Sequence, residues 1–357
     1  MSSEQTADSE QQTATLKTHE DEPVCCVPSA AEKQPALTEP FSIGDVTVAN
    51  RVLLAPLAGI GNWFVRLQAR RHGAGLAFSE MVSSHAIHHR NERTMSELLR
   101  IHPDEHPVAI QLFGSDPDVM RGAAAVVAEA GADLIDLNMG CPVKKVRKTG
   151  AGAELLADPN LAVAVARAAV EGAGGRPVTV KLRSGLRAGD DRGVALGVRL
   201  VEEAGVAAIA FHPRSAQVQH KGAPDYDLVR RLVERTPAPV IVSGGLDSAA
   251  AARAAYELSG AAAVMIARGS FGNPWIFEEL TGSRVVPPAH DEIGEELLWV
   301  VARAEEHLGQ VRASHYLRKF YPWYVGRLGV DRAEAAAFQG LTDLGEAREM
   351  IAAAAAR

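Results

Sequence analysis

One cysteine sits where chemistry could occur: Cys141, in the run Asn138-Met139-Gly140-Cys141-Pro142. A lone cysteine is more often a small buried hydrophobe than a catalyst. This one closes an apolar strand-like run, lies in a turn shaped by Gly and Pro, and is followed by Lys144, Lys145, Arg147 and Lys148. No acid occurs between Asp136 and Glu154, so the loop is a local cationic patch that ends in Gly150-Ala151-Gly152. A charge run is usually a solvated face. Placed after such a cysteine, in a loop able to cover a substrate, Lys145, Arg147 and Lys148 become candidate phosphodiester contacts.

A second residue of the same weight is Lys181, in VTVKLRSG. An inward ammonium is costly without a partner, which leaves two functional readings. It holds an anionic cofactor, such as the electron-rich pyrimidine edge of a reduced flavin, or it forms a Schiff base. His212-Pro213-Arg214 ends a further run, and the single His gains weight only beside Cys141 and Lys181. Ser243-Gly244-Gly245 and Ala267-Arg268-Gly269 close two more runs. Glycines let backbone N–H groups approach an anion, and Arg268 adds a forked donor, so a phosphate site is expected there. In Ala55-Pro56-Leu57-Ala58-Gly59 the flat backbone could underlie an aromatic ring, with Gln111 hydrogen-bonding its edge.

These residues need elements to position them. Eight short apolar runs alternate with helical patterns: 52–59, 75–83, 107–114, 134–140, 178–184, 208–214, 240–245 and 263–269. Continuous β-branched runs between amphipathic helices indicate parallel strands buried on both faces. Eight is the number that closes a (β/α)8 barrel. A doubly wound open sheet is the alternative. The polar residues gather at strand C-termini, where barrel active sites lie, and this favours the TIM barrel. Beyond Pro287-Pro288 the pattern is helical, over 291–308, roughly 312–327, and 332–356. We therefore expect an α/β chain with a tail at 1–40, a barrel catalytic domain at 41–287 and a helical domain at 288–357.

Residues 1–40 hold eight acids against Lys17 and Lys33, so most of the formal charge of −7 lies there. The tail is polar with almost no apolar periodicity, and disorder is expected. Cys25, Cys26 and Cys141 show neither zinc-site nor disulfide spacing, so no metal is expected and a reduced, cytoplasmic setting is. No window of about 18 apolar residues suggests a membrane span. We expect a monomer.

In order, these pieces resemble the bacterial tRNA-dihydrouridine synthases across roughly residues 41–330. LNMGCPVKKVRKTGAGAELL carries the likeness, reinforced by APLAGI, AIQLFGSDP, VTVKLRSG and ARGSFGNPWIF. The resemblance implies an FMN-dependent reductase of uridines in tRNA, with NADPH as electron donor and Cys141 as general acid. FMN would lie against Pro56, Leu57 and Ala58 and be bonded by Gln111 and Lys181. His212 would contact flavin or base. Ser243, Gly244, Gly245, Ala267 and Arg268 would hold the phosphate. Asn138 would adjoin flavin and uracil, and Arg214 would join Lys145, Arg147 and Lys148 as a substrate contact. The resemblance also implies that the helical domain grips tRNA. There, no acid occurs between His307 and Val330, and Arg318 and Lys319 lie among interleaved aromatics. Departures from the family pattern are Gly61-Asn62 where Thr-Asp is usual, Ser243-Gly244-Gly245 for Asn-Gly-Asp, and His220 for a tyrosine. From the residues alone, a barrel reducing a free pyrimidine and a non-catalytic RNA-binding module remain alternatives.

Overall fold

The barrel strands follow from alternation. A strand projects successive side chains to opposite faces, so a run that is apolar on both faces must be covered on both. A computed structural model describes residues 34–357 and shows eight such strands. They are β1 (Val52–Leu54), β2 (Leu76–Phe78), β3 (Val108–Phe113) and β4 (Leu134–Met139), then β5 (Val178–Arg183), β6 (Ala208–His212), β7 (Val240–Ser243) and β8 (Ala263–Ile266). All neighbours are parallel, β8 pairs with β1, and β2 pairs with β3 through Ala77 and Val108, which closes the barrel. The expected TIM barrel is what the chain forms.

Helices return the chain between strands. They include α1 (Trp63–Arg71), α2 (Pro117–Glu129), α3 (Pro159–Gly172), α4 (Arg192–Ala204), α5 (Tyr226–Val233), α6 (Ala249–Ser259) and α7 (Trp275–Thr281). Their apolar faces and the outer strand faces form one large core. A second core fills the barrel's interior, with Leu53, Leu76, Phe78, Leu134, Ile241 and Met265 beside small Ala109, Ala208, Ala210 and Ala263. A hairpin, Phe41–Ile43 paired with Val46–Val48, adds fully buried Ile43 and Val48 to this inner core. It stoppers the barrel at the N-terminal ends of the strands.

Residues 35–357 form one compact unit. Leu37, ahead of the expected barrel start at 41, is buried in the outer core, and its carbonyl accepts from Arg51 N at 2.8 Å. The remainder of the expected disordered tail lies outside the described residues. After the barrel come α8 (His290–Leu308), α9 (Gln310–Leu317), α10 (Tyr321–Val325), α11 (Arg332–Gly340) and α12 (Leu344–Ala355). The helix expected over 312–327 is thus two, separated at 318–320, with Pro322 in the first turn of α10 where its missing N–H does no harm. The one expected over 332–356 is also two, because Asp343 caps a new start by accepting from Glu346 N at 2.9 Å.

Buried polar contacts join α1 to its surroundings. Gln68 donates to Glu296 of α8 and to the Tyr324 hydroxyl of α10, each at 2.8 Å. Arg66 and Glu105, both almost fully buried, form a two-pronged ion pair at 2.7 and 2.9 Å. Arg66 also donates to the Gly61 carbonyl, holding the loop after β1. Removing one member of a sealed pair strands the other charge. Glu105→Ala is expected to lower unfolding stability by about 3–5 kcal/mol in chemical denaturation. A loss below about 1 kcal/mol would show that water reaches Arg66.

Candidate active site

At the C-terminal ends of the strands opens a cleft of about 450 Å³. Every barrel strand, or the segment directly after it, contributes to its lining. Pro56, Leu57, Ala58, Gln111, Lys181, His212, Ser243, Gly244, Gly245, Ala267 and Arg268 all line it, as do Asn138, Cys141 and Arg214. Lys145, Arg147, Lys148, Arg318 and Lys319 do not.

Strand register explains the floor. Gln111 of β3, Asp136 of β4 and Thr179 of β5 are direct neighbours across the sheet, and one step on, Asn138 faces Lys181. The small inner side chains of β6 leave room beside them. Asp136 has no exposed surface, and each of its oxygens accepts one bond at 2.6 Å, from Thr179 Oγ1 and from Gln111 Nε2. Burial pushes its carboxyl up to about 6, against the pull of those two bonds and of Lys181. Gln111 Oε1 then accepts from Asn138 Nδ2 at 2.9 Å. Asn138 Oδ1 in turn accepts from the backbone N–H groups of Cys141, at 2.9 Å, and Gly140, at 3.2 Å. Sequence reasoning passed over Asp136, although an acid in the middle of a strand apolar on both faces was the available signal.

Arg183 was passed over too, and period-2 alternation from Lys181 would have found it. It is 5% exposed, donates from Nε to the Gly140 carbonyl at 2.9 Å, and lines the cleft beside Cys141. Gly152, at φ +64°, lets the following loop close on the same turn. A Cβ there would stand 2.9 Å from the Cys141 carbonyl, which instead accepts from Ala153 N at 3.0 Å.

The cleft is cationic. Lys181 is pushed down to about 8 by burial, with Arg183 adding and Asp136 opposing. Burial likewise brings Arg183 down to about 10, with nearby Cys141 opposing and Arg214 adding. Burial and the surrounding Lys181, Arg183, Arg214 and His220 hold His212 well below the usual imidazole range. Its ring stays neutral at pH 7. Arg214 Nη1 lies 3.4 Å from His212 Nε2, and a guanidinium can only donate, so Nε2 accepts and the ring proton belongs on Nδ1. Gly244, at φ +93°, is required here, because a Cβ would fall 2.3 Å from that Nε2. His220 lies over His212 with ring centroids 6.2 Å apart. Arg268 is half-exposed, 3.6 Å from Asp247, and faces the same cleft.

Around the rim, Lys144–Arg147 forms a single helical turn, with Lys144, Lys145 and Lys148 exposed and Arg147 paired with Glu154 at 2.7 Å. The two basic candidates of the helical region differ. Lys319 is exposed, donates to the Gly59 carbonyl at 2.9 Å and lies over the Tyr316 ring. Arg318 is half-buried and donates to the Leu341 carbonyl at 3.3 Å, so it braces the break between α11 and α12. Of the interleaved aromatics, Phe320, Tyr321 and Tyr324 are core, and Trp323 stacks on Phe271 at 4.4 Å. Among the described residues no helix is long and apolar enough to cross a membrane, and no cluster of His, Cys, Asp or Glu could hold a metal ion.

A family model described as dihydrouridine synthase matches residues 53–351. The tRNA-dihydrouridine synthase B of Shewanella oneidensis is 34% identical over 291 residues, covering 80% of this chain and 89% of that protein. The protein of the same name from Pseudomonas putida is 35% identical over 307 residues, covering 84% and 90%. Among solved structures, morphinone reductase aligns with TM-score 0.53 and 19% identity, over 72% of this chain and 92% of its own. Histamine dehydrogenase from Rhizobium sp. 4-9 aligns with TM-score 0.53 and 16% identity, over 70% and 48%. The two solved structures bear on the fold alone.

The state of His212 can be measured. In a nitrogen-15 NMR titration, its ring is expected to be neutral and protonated on Nδ1 at neutral pH, and to take up a second proton only in more acidic solution than a free imidazole does. An imidazolium signature at neutral pH would contradict the neutral state, and a proton found on Nε2 would contradict the tautomer. Gly244→Ala is expected to displace the ring and cost about 1–3 kcal/mol of stability.

Proposed function

The chain belongs to the dihydrouridine synthase family, and we propose that it reduces specific uridines in tRNA to 5,6-dihydrouridine, with FMN as cofactor and NADPH as reductant. The observation that carries this reading is that Cys141 and Lys181 line one cleft with the Gln111 and Asn138 amides. A proton donor and a cation for an electron-rich ring thus share a single site. The same cleft reaches the glycines after β7 and Arg268 after β8, the place where barrels often bind phosphate.

The residues present suit FMN. Among the described residues no hydrogen bond or ion pair holds the Lys181 ammonium, which is free to meet an anionic ring edge. Gly244 and Gly245 both have positive φ, and a side chain on Gly244 would strike His212, so a close backbone cradle is kept open. Gln111 and Lys181 would hold the ring, while Ser243, Gly244, Gly245, Ala267 and Arg268 would hold the phosphate. When bound and reduced, the flavin supplies a hydride for carbon 6 of the uracil. Cys141 Sγ gives its proton to carbon 5, the C5–C6 double bond becomes single, and the thiolate left behind recovers a proton from water. Arg183, tied to the same turn, supplies positive charge beside that sulfur. A thiol suits the task because it is mostly protonated at neutral pH and still releases its proton readily.

A uridine must leave its stack to enter such a cleft, which favours tRNA loops over duplex. In this reading the barrel (41–287) holds FMN. The lysines beside Cys141, Arg147, Arg214 and part of the helical region (288–357) hold phosphates. We place the protein in the cytoplasm with its substrate.

Cys141→Ala is expected to keep FMN binding within about threefold while slowing single-turnover oxidation of the reduced enzyme by tRNA about 10²–10⁴-fold. An unchanged rate would remove Cys141 from the mechanism. Lys319→Ala is expected to weaken tRNA binding and make its salt slope shallower by about one. Arg318→Ala should instead lower stability and leave the slope as it was. Equal slope changes for both variants would restore a direct tRNA contact to Arg318.

A further inference from the structure

Resting on the reading of Cys141 as the proton donor, we propose that Asp136 is a positioning residue: its acceptor-only carboxylate sets the polarity of the Gln111 and Asn138 amides and, through them, the backbone seat of Cys141. An ionised carboxylate has no proton to give, so Thr179 must present its O–H and Gln111 its NH2. Gln111 then has only Oε1 left for Asn138, which must answer with Nδ2. That leaves Asn138 Oδ1 for the N–H groups of Gly140 and Cys141. Backbone N–H groups can only donate, so both ends of the chain of bonds dictate the same direction. Neither amide can turn over without placing donor against donor.

The lock depends on Asp136 staying ionised. Lys181 is the charged side chain acting on it, and Thr179 and Gln111 are its polar partners; burial is what raises it, to about 6. Once protonated, the carboxyl can donate. Gln111 and Asn138 then keep their direction from the backbone end alone, and the turn carrying Cys141 is held less firmly. Asp136→Asn imposes the same one-sided hold at every pH while keeping the volume.

The test uses full-length protein carrying Cys25→Ser and Cys26→Ser, leaving Cys141 as its thiol. Alkylation of Cys141 by iodoacetamide is timed by mass spectrometry from about pH 5 to 8.5, with and without Asp136→Asn. Each rate is first divided by that protein's own thiolate fraction, read from its ultraviolet absorbance at the same pH. The ratio of variant to parent then reports the seat of the sulfur and not its ionisation. It is expected to differ from one by at least about threefold above pH 6 and to return to one near pH 5, where the parent carboxyl is protonated as well. In the holoenzyme, Asp136→Asn is expected to slow single-turnover oxidation by tRNA about 10²-fold and to abolish the acid limb of its pH profile. A ratio near one throughout, or a variant that keeps the acid limb, overturns the proposal.

Should circular dichroism show Asp136→Asn unfolded, Thr179→Val is read in its place. Loss of a bond that favours the ionised carboxyl must move the inflection above pH 6, and an unmoved inflection overturns the proposal equally. If the alkylation ratio behaves as expected in a protein that no tRNA oxidises, the positioning role stands and the functional reading fails.

Discussion

A carboxylate sealed from water can only accept hydrogen bonds, and the upper half of this barrel is arranged around one. Asp136 sits between Gln111 and Thr179 on adjacent strands because β3, β4 and β5 are in register at that row. Holding its carboxyl near 6 instead of the ordinary 3.8 costs the fold about 3 kcal/mol when ionised. The sign follows from linkage. The folded state binds the proton more tightly, so this stability is present in acid and is lost as pH rises through 6. The apolar lower barrel and the outer core between strands and helices offset that cost. The active half of the barrel is less stable than an apolar filling would make it, as sites built for function often are.

Much of this was legible in the sequence because strands enforce a period of two. The apolar runs gave eight strands, their polar ends gave the cleft, and the residues singled out at those ends face one another across it. Alternation also contained Arg183, two places beyond Lys181, and Asp136, two before Asn138. Neither residue shows its partners in the sequence; strand register and the turn after β4 supply them, Gln111 and Thr179 for Asp136 and the Gly140 carbonyl for Arg183. The helical region was harder. An amphipathic pattern does not show where one helix yields to another, and the breaks at 318–320 and 341–343 depend on Pro322, a buried Leu341 and the Asp343 cap. Burial of aromatics there was equally invisible. Phe320, Tyr321 and Tyr324 share composition with an RNA-stacking surface, yet they pack into the core.

The departures from the family pattern acquire local reasons. Asn62 caps α1 and donates to the Tyr316 hydroxyl at 2.6 Å, and that hydroxyl donates to the Ile60 carbonyl at 3.1 Å. The loop after β1 is thereby bonded to α9. With Lys319 on the Gly59 carbonyl and Glu80 accepting from Gly59 N at 2.9 Å, the helical region braces from behind the loop that forms one wall of the cleft. His220 adds a ring over His212 and helps keep it uncharged.

The hairpin bearing Ile43 and Val48 makes the barrel a vessel with a floor. Nothing can pass through from below, so whatever donates electrons and whatever receives them must use the same doorway. If the donor is a nicotinamide and the acceptor a folded nucleic acid, the two are too bulky to occupy it together. Each visitor must depart before the next arrives. Alternating half-reactions, with the cofactor carrying electrons from one visit to the other, would then be a consequence of architecture before any kinetics are considered.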